Sequence, residues 1–156
     1  MKFDTIALHG GQPVDEQTFS RALPIHRTSA YLFRDTKHAA NLFALKELGN
    51  IYTRLGNPTQ DVLEQRFAQL EGGAASLALS SGTSAVFYTI INICSQGDEI
   101  VAANNLYGGT YTLFKHMLPR LGIEVRIAED DSVAAMEPLI DDKTTAVFCE
   151  SIGNPA

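Results

Sequence analysis

The chain reads as an α/β fold, a mainly parallel sheet with helices on its faces, and three observations predict it. From Thr59 onward, helix-length stretches with apolar residues at i, i+4, i+7 alternate with short β-rich apolar runs. Three of the short runs pass directly into small or polar residues: Ser80-Ser81-Gly82-Thr83, Asn104 to Thr110, and Glu150 to Asn154. Loops of that kind at the carboxyl ends of strands are where ligands bind in open α/β sheets. Finally, 45% hydrophobic residues in 156 is enough apolar material for the core of one ordinary domain.

Residues 1–58 do not share this pattern and read as an irregular arm. Gly10-Gly11, Pro13, Pro24 and Gly49 interrupt it, and Ile25, Tyr31, Leu32 and Phe33 follow no strict period. One helix is expected from Thr36 to Leu48, with Leu42, Leu45 and the pair Phe43/Leu48 as its apolar stripe and Gly49 as its stop. Such an arm has to pack on something else, often a partner subunit.

The second part, 59–156, is read element by element. Thr59 can cap a helix, Asp61 favours its first turn, Leu63, Phe67 and Leu70 form its stripe, and Gly72-Gly73 end it. Ala74 to Ser80 is short enough for a buried strand, and Ser81-Gly82-Thr83-Ser84 turns into an apolar helix reaching about Ser95. Gln96-Gly97-Asp98 is a turn before a strand from Glu99 to Ala103. Gly108-Gly109-Thr110 leads a helix containing Leu113, Phe114, Met117, Leu118 and Leu121, stopped by Gly122. Ile123 to Ile127 is a strand, Val133 to Ile140 a helix weakened at Pro138, and Thr144 to Glu150 a last strand.

Composition excludes several function classes. Eighteen acidic against twelve basic residues give a net charge of −6, which argues against nucleic acid and anionic membrane surfaces as partners. No apolar run approaches the roughly 20 residues of a membrane span, and no signal-peptide core follows Met1-Lys2-Phe3. Cys94 and Cys149 lie in apolar runs and read as buried free thiols, which suits a reducing, cytoplasmic setting. His9, His26, His38 and His116 show no metal-ligand spacing, so no metal site is expected.

Three constellations could carry chemistry. Ser81-Gly82-Thr83 at a strand-to-helix junction can offer first-turn N–H groups to an anion, or can be an ordinary capped turn. It is neither a Walker A loop nor a dinucleotide fingerprint. Tyr52 and Arg54 lie two apart in a segment expected to be extended, so both point to one side and can grip a phosphate dianion, or be a surface pair. Tyr107 beside Gly108-Gly109 can lie flat over a planar heterocycle, or serve as a core or capping tyrosine.

The order and spacing of these signals say more than any one of them. Pro24-Ile25, Thr28-Ser29, Tyr52-x-Arg54-x-Gly56-Asn57-Pro58-Thr59, Leu70-Glu71-Gly72-Gly73, Ser81-Gly82, Gly97-Asp98, Tyr107-Gly108-Gly109-Thr110 and Glu150-x-x-x-Asn154-Pro155 follow one another along essentially the whole chain. In that succession the sequence closely resembles the Cys/Met-metabolism family of pyridoxal-phosphate (PLP) enzymes. Within it, His38-Ala39-Ala40-x-Leu42-Phe43-x-Leu45 followed by Gly49-Asn50-Ile51-Tyr52-Thr53-Arg54, Asp141-Asp142-Lys143-Thr144 and Glu150-Ser151-Ile152-Gly153-Asn154-Pro155 look like the O-acetylhomoserine sulfhydrylase branch.

The resemblance implies a fold and a set of roles. The fold is the first part of a fold-type I, aspartate-aminotransferase-like large domain (59–156) preceded by an arm (1–58) that contacts a neighbouring subunit. Ser81, Gly82 and Thr83 hold the PLP phosphate, the latter two through backbone N–H groups, and Tyr52 and Arg54 reach the phosphate of a neighbour's cofactor. Tyr107 stacks on the pyridine ring, Asn154 hydrogen-bonds the cofactor's phenolic oxygen, and Glu150 helps hold that region. The expected assembly is a homotetramer of catalytic dimers. Thr83 stands where the family usually has methionine or glutamine, Leu55 fills a variable position, and His26-Arg27 replaces a commoner Tyr-Gln.

The reaction implied is a transferase step of methionine and homocysteine biosynthesis: acetate on O-acetylhomoserine is replaced by a sulfur nucleophile. The family's Schiff-base lysine follows the Asn154-Pro155 motif, and Lys2, Lys37, Lys46, Lys115 and Lys143 all lie outside its Ser-x-Thr-Lys context. The chain is therefore expected to be an N-terminal portion that cannot catalyse alone and that lacks its C-terminal complement. Cystathionine γ-synthase, cystathionine lyase and methionine γ-lyase keep the same fold with other reactions. A non-catalytic truncated assembly subunit, lending Tyr52 and Arg54 to a complete partner, is the reading from another class.

Overall fold

The computed structural model describes residues 1–153. Asn154, expected to touch the cofactor, lies outside the described residues. The chain divides into two compact units, Met1–Ala78 and Leu79–Ala156.

The first unit holds three helices: α1 (Phe3–His9), α2 (Thr36–Phe43) and α3 (Pro58–Glu71). Sequence reading missed α1, which has no buried residue of its own. It packs along α3, and the Arg66 side chain donates to the Gly10 carbonyl at 2.9 Å. α3 therefore groups, within the first unit, with the residues that precede it.

α2 is shorter than the spacing predicts. Asp35 caps its start, accepting the His38 N–H at 2.7 Å. It closes at Ala44 because Leu45 turns left-handed, with φ 55°. The Leu45 N–H then reaches the Leu42 carbonyl at 3.1 Å and the Lys46 N–H the Asn41 carbonyl at 2.9 Å. That pair of bonds is a Schellman closure, here with leucine where glycine is usual. Of the expected stripe only Leu42 is buried.

In α3 the cap is Asn57, two residues ahead of the expected Thr59, with Pro58 as the first helical residue. The buried side chains are Val62 and Ala68, while the predicted stripe residues Leu63 and Phe67 are 47% and 51% exposed. Apolar period identifies a helix without saying which flank meets a neighbour, and α1 lies along the other flank. Ala74 to Ser80 forms no strand. It has no ladder partner among the described residues, and Leu77 is 72% exposed.

The second unit is a three-stranded parallel sheet in the order β2-β1-β3, with β1 Glu99–Ala102, β2 Glu124–Ile127 and β3 Thr144–Phe148. The central strand β1 is buried throughout. Its pairing with β3 slips between Glu99↔Thr144 and Ile100↔Ala146, leaving Thr145 as a bulge residue. α4 (Gly82–Ile93) precedes β1, α5 (Gly108–Thr112) connects β1 to β2, and α6 (Val133–Met136) connects β2 to β3.

α5 continues beyond Thr112 as a wide π turn, Leu113–Met117, and a tight 3₁₀ turn, Leu118–Leu121. The cause is Pro119, which has no N–H and whose ring would strike the carbonyl four residues back in a regular helix. The Leu118 N–H bonds to the Leu113 carbonyl instead, and the helix widens. Gly122, at φ 77°, ends it in the left-handed region as expected.

The core lies on one face of the sheet. Ile100, Ala102, Val125, Ile127, Ala146 and Phe148 meet Val86, Phe87, Ile90 and Cys94 of α4 and its cap, and Leu113, Phe114 and Leu118 beyond α5. Phe114 stands edge-on to Phe148 with ring centroids 5.0 Å apart. Opposite, Arg126 pairs with Glu99 and, at 3.0 Å, with Asp141, while the Lys143 amine lies 3.6 Å from Glu99. Glu99, Asp141 and Lys143 sit at the amino-terminal ends of β1 and β3, leaving the carboxyl ends to the candidate site.

Candidate functional site

Strand β1 has β2 on one side and β3 on the other, so the chain reverses direction across the sheet at β1. Open α/β sheets place their ligands at such a switch point, beyond the carboxyl ends of the strands. Here the loops after all three strands meet. Asn104 donates to the Glu129 carbonyl, and the Asn105 amide lies 3.3 Å from Asp131. The Tyr107 N–H donates to a carboxylate oxygen of Glu150 at 3.0 Å.

Two helix N-termini face this loop cluster. Ser81 caps α4: its hydroxyl oxygen accepts the Ser84 N–H at 3.1 Å and its O–H donates to Ser84 Oγ at 2.9 Å. The Ser81 hydroxyl is thus occupied by the cap. The first N–H groups of a helix have no carbonyl partner within it. With that of Ser84 taken, those of Gly82 and Thr83 are left to face a ligand. A Cβ added at Gly82 would meet nothing within 4 Å, so there is room for a group to come close. Gly109 at the start of α5 lies against Thr83, its added Cβ falling 3.5 Å from Thr83 Oγ1.

The two N-termini are not equivalent. At the head of α5 the Glu150 carboxylate already supplies the negative charge that a helix N-terminus favours. Among the described residues, no such carboxylate meets the amides of Gly82 and Thr83. Tyr107 is 49% exposed, and its ring lies against Gly109, beside Thr83. The predicted residues Ser81, Gly82, Thr83, Tyr107 and Glu150 are therefore brought together.

Tyr52 and Arg54 belong to the first unit. Tyr52 forms an isolated antiparallel bridge with Ala30, but the segment is not extended beyond it. The Leu55 and Gly56 N–H groups fold back to the Tyr52 carbonyl at 2.8 and 3.2 Å. The pair still presents one face, because the turn sets the Arg54 guanidinium carbon 5.7 Å from the Tyr52 ring centroid. Tyr52 is 42% exposed and Arg54 is exposed, so both heads are available to a ligand.

What holds that turn was not singled out in the sequence. Asn57 is buried, caps α3 by accepting the Thr59 N–H at 2.9 Å, and donates to the His26 carbonyl at 2.9 Å and to Thr53 Oγ1 at 3.1 Å. Thr59 Oγ1 accepts the His26 N–H at 2.9 Å and donates to the Pro24 carbonyl at 3.0 Å. Thr53 adds an N–H bond to the Ser29 carbonyl at 2.9 Å. The motif residues around Pro24, Thr28-Ser29 and Asn57-Pro58-Thr59 thus tie down the turn that carries Tyr52 and Arg54. An asparagine directly before a proline and a helical run was the available signal.

The remaining candidates recede. Cys94 is buried and its thiol is pushed up by that burial, with Asp98 adding to it, which makes it inert. Cys149 is exposed, contrary to the expectation from its apolar run. His38 accepts the Arg34 N–H at 3.1 Å. Among the described residues, no three His, Cys, Asp or Glu side chains gather as a metal would require, and no helix is long and apolar enough to cross a membrane.

Comparison with known proteins agrees with this geometry. The family model described as Cys/Met metabolism PLP-dependent enzyme matches residues 4–156. An O-acetyl-L-homoserine sulfhydrylase of Leptospira meyeri is 53% identical over 154 residues, covering 99% of this chain and 35% of that protein. A crystal structure from Campylobacter jejuni, assigned as an O-acetylhomoserine (thiol)-lyase and holding N'-pyridoxyl-lysine-5'-monophosphate, superposes with a TM-score of 0.91 at 46% identity, covering 99% of this chain and 38% of that one. A cystathionine γ-lyase of Lactobacillus plantarum superposes with a TM-score of 0.85 at 32% identity, covering 99% and 38%. The chain thus spans little more than a third of the length of these relatives.

Proposed function

We propose that this chain, which belongs to the Cys/Met metabolism PLP-dependent enzyme family, is the N-terminal part of an O-acetylhomoserine sulfhydrylase. The second unit lies within the opening portion of a fold-type I PLP domain, and the family's cofactor is pyridoxal 5'-phosphate. The single observation that carries the residue assignment is the meeting of free amides and an exposed aromatic ring. Gly82 and Thr83 offer N–H groups, with open space at Gly82, Tyr107 offers its ring close by, and Glu150 occupies the other helix end. These residues fit a planar heterocycle carrying a phosphate. The higher identity to sulfhydrylases than to a cystathionine lyase favours the sulfhydrylase reaction.

In this reading Gly82 and Thr83 bind the phosphate and Ser81 holds their helix turn in place. Tyr107 covers one face of the heterocycle and excludes water from it. Asn154 meets the cofactor's phenolic oxygen. The arm, 1–58, carries Tyr52 and Arg54 to the phosphate in a neighbouring subunit of a homotetramer, and 59–156 begins the large domain. When bound, PLP supplies an electron sink that acidifies the C–H bonds next to the substrate's amino group. None of Lys2, Lys37, Lys46, Lys115 and Lys143 has the family's context, so the cofactor-bearing lysine and the C-terminal portion belong to the rest of a longer cytoplasmic chain.

The test is product analysis of the complete enzyme. Homocysteine formed from O-acetylhomoserine and sulfide, faster than turnover of cystathionine or methionine, supports the proposal. Preference for cystathionine or methionine assigns one of the other family reactions and refutes it. No turnover of any of the three, with retention only in mixed oligomers with another subunit, makes the chain an assembly module.

A further inference from the structure

We propose that Gly109 and Glu150 are positioning residues that together fix the orientation of the Tyr107 ring, the glycine by leaving the space the ring fills and the carboxylate by pinning the tyrosine's backbone. The inference rests on the reading that Tyr107 covers the cofactor.

Gly109 is the second residue of α5, and its φ lies outside the left-handed region. A helical position of that kind does not need glycine, which costs roughly 0.5–1 kcal/mol against alanine there. The reason for it is spatial. A Cβ at residue 109 would fall 2.6 Å from Tyr107 Cε1 and 3.2 Å from Cδ1, far inside van der Waals contact. One edge of the ring therefore rests against the bare backbone of Gly109. Gly108, one residue earlier in the same turn, has nothing within 4 Å of an added Cβ, so the ring uses only the second of the two glycines.

The ring's other end of leverage is its own backbone. Tyr107 caps α5 without a side-chain hydrogen bond, and its N–H would be unpaired but for Glu150, 43 residues away in the loop after β3. That 3.0 Å bond ties the start of α5 to the loop that follows β3. Gly153 comes close to the same region, since a Cβ there would meet the Asn105 carbonyl at 3.1 Å. With the backbone held by Glu150 and the ring edge held by Gly109, the ring keeps a single tilt.

The test uses the complete enzyme and reads cofactor dissociation constant, circular dichroism of the bound cofactor's absorption band, and thermal midpoint. Tyr107→Ala is measured first. If neither affinity nor the dichroic band changes, Tyr107 does not cover the cofactor and the underlying reading fails. If it does, Gly109→Ala is expected to weaken cofactor binding about 2- to 10-fold, the range of an aromatic stacking contact, and to alter the band. Its thermal midpoint should hold or rise, because alanine favours the helix. Gly108→Ala, in the same turn, is expected to change the dichroic band less than Gly109→Ala. Glu150→Gln, which keeps an acceptor oxygen, should retain most of the affinity that Glu150→Ala loses. In a Tyr107→Ala background, Gly109→Ala should have no further effect on affinity. A full additive effect there, or an unchanged band in Gly109→Ala alone, overturns the proposal.

Discussion

Replacing Asn57 by alanine should destabilise the protein by about 2–4 kcal/mol, far more than a surface asparagine warrants. The side chain makes three hydrogen bonds from a buried position: one accepted from Thr59 N–H, and two donated, to the His26 carbonyl and to Thr53 Oγ1. Losing the helix cap costs about 1 kcal/mol. Each lost bond removes about 0.5–1.5 kcal/mol, more where the remaining partner stays buried and unpaired. Asn57→Ser separates the contributions, because serine can cap α3 but is too short to donate to both partners, and should cost about half as much. Urea unfolding of the complete chain, from midpoint and slope, measures both variants. A change below 0.5 kcal/mol for Asn57→Ala would refute the argument. Equal losses for alanine and serine would show that the cap contributes nothing. Because Asn57 braces the turn of Tyr52 and Arg54, proteolytic cleavage within 50–57 should also quicken in the alanine variant.

Other perturbations follow from the same geometry. Ser81→Ala removes the α4 cap and should cost about 1 kcal/mol in the same unfolding assay, whereas Ser81→Asp restores a cap but sets a negative charge at the proposed phosphate site. Stability should then survive while cofactor affinity, measured by dialysis, falls. The Arg126 guanidinium, helped by the Lys143 N–H, holds the Asp141 carboxyl down to about 2. Since its folded value lies below the unfolded one, its stabilisation is fully present above about pH 4 and is lost as pH falls toward 2; unfolding midpoints across pH 2–5 should show a slope that Asp141→Asn flattens. Phe114→Ala, at a fully buried ring edge-on to Phe148, should cost about 3–5 kcal/mol by calorimetry or urea titration.

Much of the second unit was legible because its signals are local. Serine before a helical run marked the cap of α4, Gly97 and Gly122 marked turns, and the alternation of patterns placed all three strands within a residue or two of their observed spans. The first unit was less legible for equally physical reasons. Leu45 closes α2 four residues before Gly49, through two backbone bonds that a leucine accepts only in a left-handed turn. Tyr52 and Arg54 share a face through a turn, where spacing alone suggested an extended chain.

By itself the sequence determined the α/β class, the cap of α4, and the glycine stops at Gly72 and Gly122. These depend on neighbours within a turn of the chain, so order and spacing suffice to read them. The tertiary structure alone decided that α3 turns Val62 and Ala68 inward, that 74–80 stays outside the sheet, and that Asn57 holds the arm's turn. It also decided that Glu150 meets Tyr107 and that Gly109 seats its ring. The long-range contacts behind these outcomes join residues as many as 56 positions apart, and distance along a chain carries no record of such meetings until packing has brought the elements together.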